Sequence, residues 1–98
     1  MFHNIPLQAI PNQTLAFELN NQRIELTLET RLNEQLYATI SVNGKRIVAN
    51  RVCLNLVPLI MVDYLPIQGN LLFMDASGSE NPNFRELGSR FRLIWSEK

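Results

Sequence analysis

Residues 36–51, LYATISVNGKRIVANR, constrain this chain more than any other stretch. Two alternating runs flank Asn43-Gly44, the pair most suited to a two-residue type I′ hairpin loop, because both positions need positive φ. Such a loop sets a register in which Val42 faces Lys45, Ile40 faces Ile47 and Ala38 faces Ala49. Apolar side chains then share one face of the ribbon, and Tyr37, Thr39, Ser41 and Arg46 share the other.

A second hairpin precedes it. Leu15, Phe17 and Leu19 alternate with Thr14, Ala16 and Glu18, and after Asn20-Asn21 the apolar phase returns at Ile24, Leu26 and Leu28. Asparagine tolerates the left-handed region, so the Asn pair can serve as the loop. Phe17 then faces Ile24 and Leu15 faces Leu26. The polar link 30–35 makes the four strands an antiparallel meander.

Residues 52–70, VCLNLVPLIMVDYLPIQGN, keep neither the strand nor the helix period. A strand is expected to run on to about Val57, followed by an irregular apolar connection broken by Pro58 and Pro66. Two readings of that connection stand side by side: a flap sealing the core, and a contact surface for a partner. Leu71 to Asp75 reads as a short buried strand and residues 76–83 as a polar tip. Phe84 to Leu87, stopped by Gly88, reads as one helical turn. The last strand, 89–95, places Phe91, Leu93 and Trp95 on one face and Arg90, Arg92 and Ile94 on the other. Residues 1–12, with Pro6 and Pro11, form an extended arm. The expectation is an all-β fold: one domain over residues 1–98, a small antiparallel meander closing into a barrel or a two-layer sandwich, with one short helical turn near residues 84–87.

Ninety-eight residues suffice for one thin core. Nine basic and nine acidic residues balance, so the basic excess of a nucleic-acid footprint is missing, and no membrane patch is evident. Seven of the nine basic residues are arginine, the cation favoured at protein interfaces. Cys53 is the one cysteine and sits between Val52 and Leu54, which suits a buried thiol and gives no disulfide or thiolate pair. Residues 1–10 are not patterned as a signal peptide, so folding in a cytoplasm is expected.

Little in the chain suggests catalysis. The single histidine, His3, lies in the arm, away from any nucleophile, and the acids Asp63, Asp75, Glu80 and Glu86 are scattered. The run Asp75-Ala76-Ser77-Gly78-Ser79-Glu80 lacks the alternating acids of a calcium loop and reads as an Asx-type turn. No catalytic, metal or cofactor residue is expected. A small free-standing β-barrel binding a peptide or an oligonucleotide is the alternative reading.

Several stretches taken in order resemble a known family: Ile5-Pro6-Leu7, then Pro11-Asn12-Gln13-Thr14 before an alternating strand, the Asn-Gly hairpin, Asn70-Leu71-Leu72-Phe73, Phe84-Arg85-Glu86-Leu87-Gly88 and Phe91-Arg92-Leu93. The chain resembles the small baseplate plug proteins of contractile-tailed phages, of the type found in a cyanophage tail. The resemblance implies a virion structural protein rather than an enzyme. It implies an all-β plug on the tail axis that helps close the tube lumen, in a hetero-oligomeric assembly with hub, spike and tail tube proteins. It calls for no cofactor, nucleic acid or membrane. The chain departs from the family pattern over 53–68, where it is bulkier. Candidate partner contacts are Ile5, Pro6 and Leu7 in the arm, and Leu59, Ile60, Met61 and Tyr64 in the apolar connection.

Overall fold

The computed structural model describes residues 2–19, 21–60 and 69–97. Seven strands form among the described residues, in chain order: β1 (Phe2–Ile5), β2 (Gln13–Leu19), β3 (Gln22–Thr30), β4 (Leu36–Val42), β5 (Lys45–Val52), β6 (Gly69–Asp75) and β7 (Phe91–Glu97). They make two antiparallel sheets, ordered β2-β3-β4-β5 and β1-β7-β6. The inward faces meet in one core. Ile24, Leu26, Leu28, Leu36, Ala38 and Ile40 come from the first sheet, and Leu71, Phe73, Phe91, Leu93 and Trp95 from the second. The fold is a two-layer sandwich. The barrel alternative is overturned, because no ladder joins the two sheets among the described residues. The alternative binding module loses its barrel with it.

The four-stranded sheet follows the hydrophobic alternation. Phe17 pairs with Ile24 and Leu15 with Leu26, with an unbroken register from Gln13 to Leu19. Strand β4 buries every second residue from Leu36 to Val42. Asn43 and Gly44 take φ of 51° and 85°, as a type I′ loop requires. The Asn43 side chain accepts from the Arg23 N–H at 2.9 Å, and its own N–H donates to the Arg23 carbonyl at 2.8 Å. The loop of one hairpin thereby fastens to the loop end of the other.

Beyond the loop the expected register fails. Val42 faces Lys45, but Ile40 faces Val48 rather than Ile47, and Ala38 faces Arg51 rather than Ala49. Each break inserts one extra residue into β5, and Asn50 turns left-handed (φ 50°) with its N–H bonded to Thr39 Oγ1 at 3.1 Å. β5 is an edge strand, and bulges of this kind twist an edge out of the flat form that would recruit another chain.

The strand expected to reach Val57 ends at Val52. From there the chain leaves one sheet and runs along the other. Asn55 bridges Phe73, and the N–H groups of Leu56 and Leu59 donate to the carbonyls of Phe73 and Leu71. Asn70 holds Ile60 at both its N–H and its carbonyl, at 2.9 and 2.8 Å. This crossing covers the open edge of β6 and drives Cys53, Leu59 and Ile60 into the core.

The helical turn expected near 84–87 is a 3-10 turn over Phe84–Glu86, capped by the Asn83 side chain on the Arg85 N–H. A second 3-10 turn, Leu32–Glu34, lies in the link read as merely polar. The last strand starts two residues later than expected, yet its faces hold: Phe91, Leu93 and Trp95 are buried. Strand β1 pairs with β7 from Phe2 to Ile5.

Gly69 opens β6 beneath the Trp95 indole, where a Cβ would meet ring carbon Cε2 at 2.6 Å and the Ser96 carbonyl oxygen at 2.9 Å. Gly69→Ala is expected to destabilise the fold by about 1–3 kcal/mol, the usual range for overpacking. Urea denaturation followed by Trp95 fluorescence measures it; an unchanged midpoint would show that the indole has room to move.

Candidate contact surfaces

The residues singled out in the sequence separate in space. Ile5, Leu59 and Ile60 lie in the core, and Leu7 is half-buried against it. Pro6 is exposed. Met61 and Tyr64 lie outside the described residues. Three of the seven candidates are thus buried in this chain.

A densely hydrogen-bonded polar site surrounds Asp75, at the end of β6. Its side chain has no exposed surface, a position a carboxylate tolerates only when paired and fully hydrogen-bonded. Arg90 supplies a two-pronged pair, Nε to Oδ1 at 2.7 Å and Nη2 to Oδ2 at 2.8 Å. The N–H groups of Ser77 and Glu80 donate to the same two oxygens, each at 2.9 Å. The run 75–80 is therefore an Asx-type turn wound around its own carboxylate, with the Arg90 guanidinium as the cation. Hydrogen bonds from Arg90 hold the Asp75 carboxyl well below the usual carboxylate range, against the upward push of burial and with help from the Glu80 and Ser77 N–H groups. Arg90 also reaches Glu80 at 3.0 Å.

This cluster extends to the crossing segment. The Asp75 N–H donates to Asn55 Oδ1 at 2.9 Å, and the Asn55 N–H donates to Asn81 Oδ1 at 3.0 Å. With Asn55 clamped from both sides, the next residue, Leu56, adopts φ of 60°. A bulky residue rarely enters that region and does so only where its surroundings impose it. Leu56 is left 58% exposed. It borders an apolar groove of about 420 Å³ on the outer face of the three-stranded sheet, lined by Leu56, Leu72, Met74 and Ile94. Leu72 faces Ile94 across the β6–β7 ladder, and Met74 faces Arg92.

Sequence reasoning missed this groove. One signal was present: Ile94 is apolar at an outward position of the last strand. Leu56 gave none, because its exposure depends on hydrogen bonds that its neighbour Asn55 makes with residues 20 and 26 positions further on.

The fold and its surface define a small β-sandwich that presents apolar contacts on a rigid backbone, the anatomy of an assembly component. The family model for the cyanophage baseplate Pam3 plug gp18 matches residues 2–98, and the chain belongs to that family. It is accordingly a structural component of a phage tail baseplate, associated with other baseplate components; the family is not a known enzyme family. A search of curated proteins finds no match.

Two outcomes are expected. A carboxylate whose pKa is lowered by folding adds stability above the unfolded value, about pH 4 for Asp, and loses it as pH falls below that. Asp75→Asn should therefore unfold at lower urea than the parent at neutral pH, with the gap narrowing on acidification below about pH 4. A gap constant with pH would dismiss the carboxylate as its source. Burial pushes the Cys53 thiol up to about 12. A disulfide reagent at about pH 8 should leave it unmodified in the native protein and react fully once the chain is denatured.

Proposed function

We propose that this chain acts as a plug on the tail axis, helping to close the tube lumen and contacting hub, spike or tube proteins. The observation that carries the reading is the family match, which runs through both sheets and both 3-10 turns rather than through a single motif. The mechanism is occlusion. A two-layer sandwich with a continuous apolar core resists deformation, and a plug has to hold its shape against its neighbours.

In this reading the chain works as one β domain. Pro6 and Leu7 lie beside the β1–β7 edge and stay proposed contacts, as do Met61 and Tyr64. Ile5, Leu59 and Ile60 are buried in the core and contribute through packing rather than direct contact. An anchoring arm over residues 1–12 is part of the same reading. Its removal by truncation would also take β1 and the buried Ile5, so lost binding and lost folding would arrive together. Point changes at Pro6 and Leu7 separate the two better.

A tagged copy recovered from phage-producing cells, followed by mass spectrometry, tests the assignment. Hub, spike or tube proteins in near-stoichiometric yield are the expected companions. Recovery as a lone monomer, with the chain absent from purified particles, would overturn it.

A further inference from the structure

Asn43-Gly44 is the one Asn-Gly pair in the chain. It closes the β4–β5 hairpin, and both of its residues are exposed. The pair suits a tight turn, and it is also chemically labile. A glycine amide nitrogen meets no side chain of its own in attacking the side-chain carbonyl of the asparagine before it. A Cβ built at Gly44 would find nothing within 4 Å, so the fold adds no crowding there. The other left-handed asparagines among the described residues, Asn21 and Asn50, precede Gln22 and Arg51, whose side chains hinder the same attack.

The reaction needs only water. The Gly44 nitrogen gives up its proton to solvent and bonds to Asn43 Cγ. The Cγ–Nδ2 bond breaks, and the nitrogen takes a proton from water and leaves as ammonia. One water then opens the resulting cyclic imide. Cleavage at Cγ restores the main chain with an aspartate at position 43. Cleavage at the backbone carbonyl leaves an isoaspartate, whose main chain runs through Cβ and Cγ. Neither step changes the oxidation state of any atom.

The native loop opposes the first step. Reaction requires the attacking and attacked atoms to lie close and aligned. Asn43 has φ of 51°, in the left-handed region, where ψ is about +47°. At that ψ the bond to the Gly44 nitrogen points away from Cβ, whereas ring closure needs nitrogen and side chain on the same side of the Cα–C bond. Turning that bond round means opening the loop, which the Val42–Lys45 pair holds closed. The side chain is fixed as well. Asn43 Oδ1 accepts from the Arg23 N–H at 2.9 Å, and the Asn43 N–H donates to the Arg23 carbonyl at 2.8 Å. Side chain and backbone of the same asparagine are thus both tied to β3.

We propose that Asn43 is a deamidation site that the closed hairpin loop keeps shut. Only chains in which the loop has opened react, so the site records time spent unfolded or locally open. The two products differ in consequence. Aspartate keeps an oxygen to accept from the Arg23 N–H and fits the same loop. Isoaspartate adds a carbon to the main chain of a two-residue loop, so the Val42–Lys45 pair and the ties to Arg23 no longer fit together. The site is a property of the chain itself and stands apart from the tail-axis reading.

Incubating the full chain in mildly alkaline buffer, with and without denaturing urea, tests the proposal. Mass spectrometry follows the conversion of amide to acid, and fragmentation places it in the sequence. Conversion at Asn43 should be at least about tenfold slower in the native protein, because only the open fraction reacts. Equal rates, or conversion in urea centred on another asparagine, would overturn the proposal. The second readout is the stability of the products. Asn43→Asp should keep a urea midpoint close to that of the parent, and the isoaspartate form, separated by chromatography and refolded, should unfold at lower urea. An isoaspartate form as stable as the parent would show that the loop is not the gate.

Discussion

Much of this structure hangs on one buried carboxylate. Asp75 ends β6 with no exposed surface, so its charge must be met by protein groups, and Arg90 and two backbone N–H groups meet it. That requirement winds the 75–80 turn and ties it to Arg90, just ahead of β7. The Asp75 N–H then holds Asn55, and Asn55 carries the chain from the four-stranded sheet onto the edge of β6. Ordering at the hairpin end is in this way transmitted to the crossing segment, and from there to the exposed face of Leu56.

Sheet edges receive equally specific treatment. β5 carries two bulges and a left-handed Asn50, and β6 is covered by the crossing segment, with Asn70 acting on Ile60 as a strand partner would. β1 is only four residues long and is followed by Pro6. Each device lowers the tendency of an open ladder to add a foreign strand. Contacts suited to an ordered assembly are thereby directed to side-chain surfaces, which discriminate between partners better than a bare backbone edge does.

Rigidity and exposure coincide in this molecule. The two most exposed leucines among the described residues, Leu32 and Leu56, stand on backbone fixed by ion pairs and side-chain hydrogen bonds. A preordered apolar side chain loses little conformational freedom on contact, so more of its burial is available for association.

Alternation and turn chemistry settle the β2–β3–β4 meander from sequence alone, since a period of two with Asn-Asn and Asn-Gly loops admits one register that turns Leu15, Phe17, Ile24, Leu26 and Ile40 to one face. The inward face of the last strand follows for the same reason. The family resemblance is legible too, because it lies in the order of short motifs along the chain. What the sequence could not decide rests on contacts between distant residues. The β5 register depends on bulges at an edge whose own pattern is indifferent to them. The choice of sandwich over barrel depends on the chain leaving β5 at Val52, where Cys53 and Leu59 find the core. The fates of Leu59, buried, and Leu56, exposed, are set by Asn55, Asn81 and Asp75, which no local pattern brings together. Periodicity is a local property and survives in the sequence; exposure of a single apolar residue in an irregular segment is a property of what packs beside it, and only the tertiary structure supplies that.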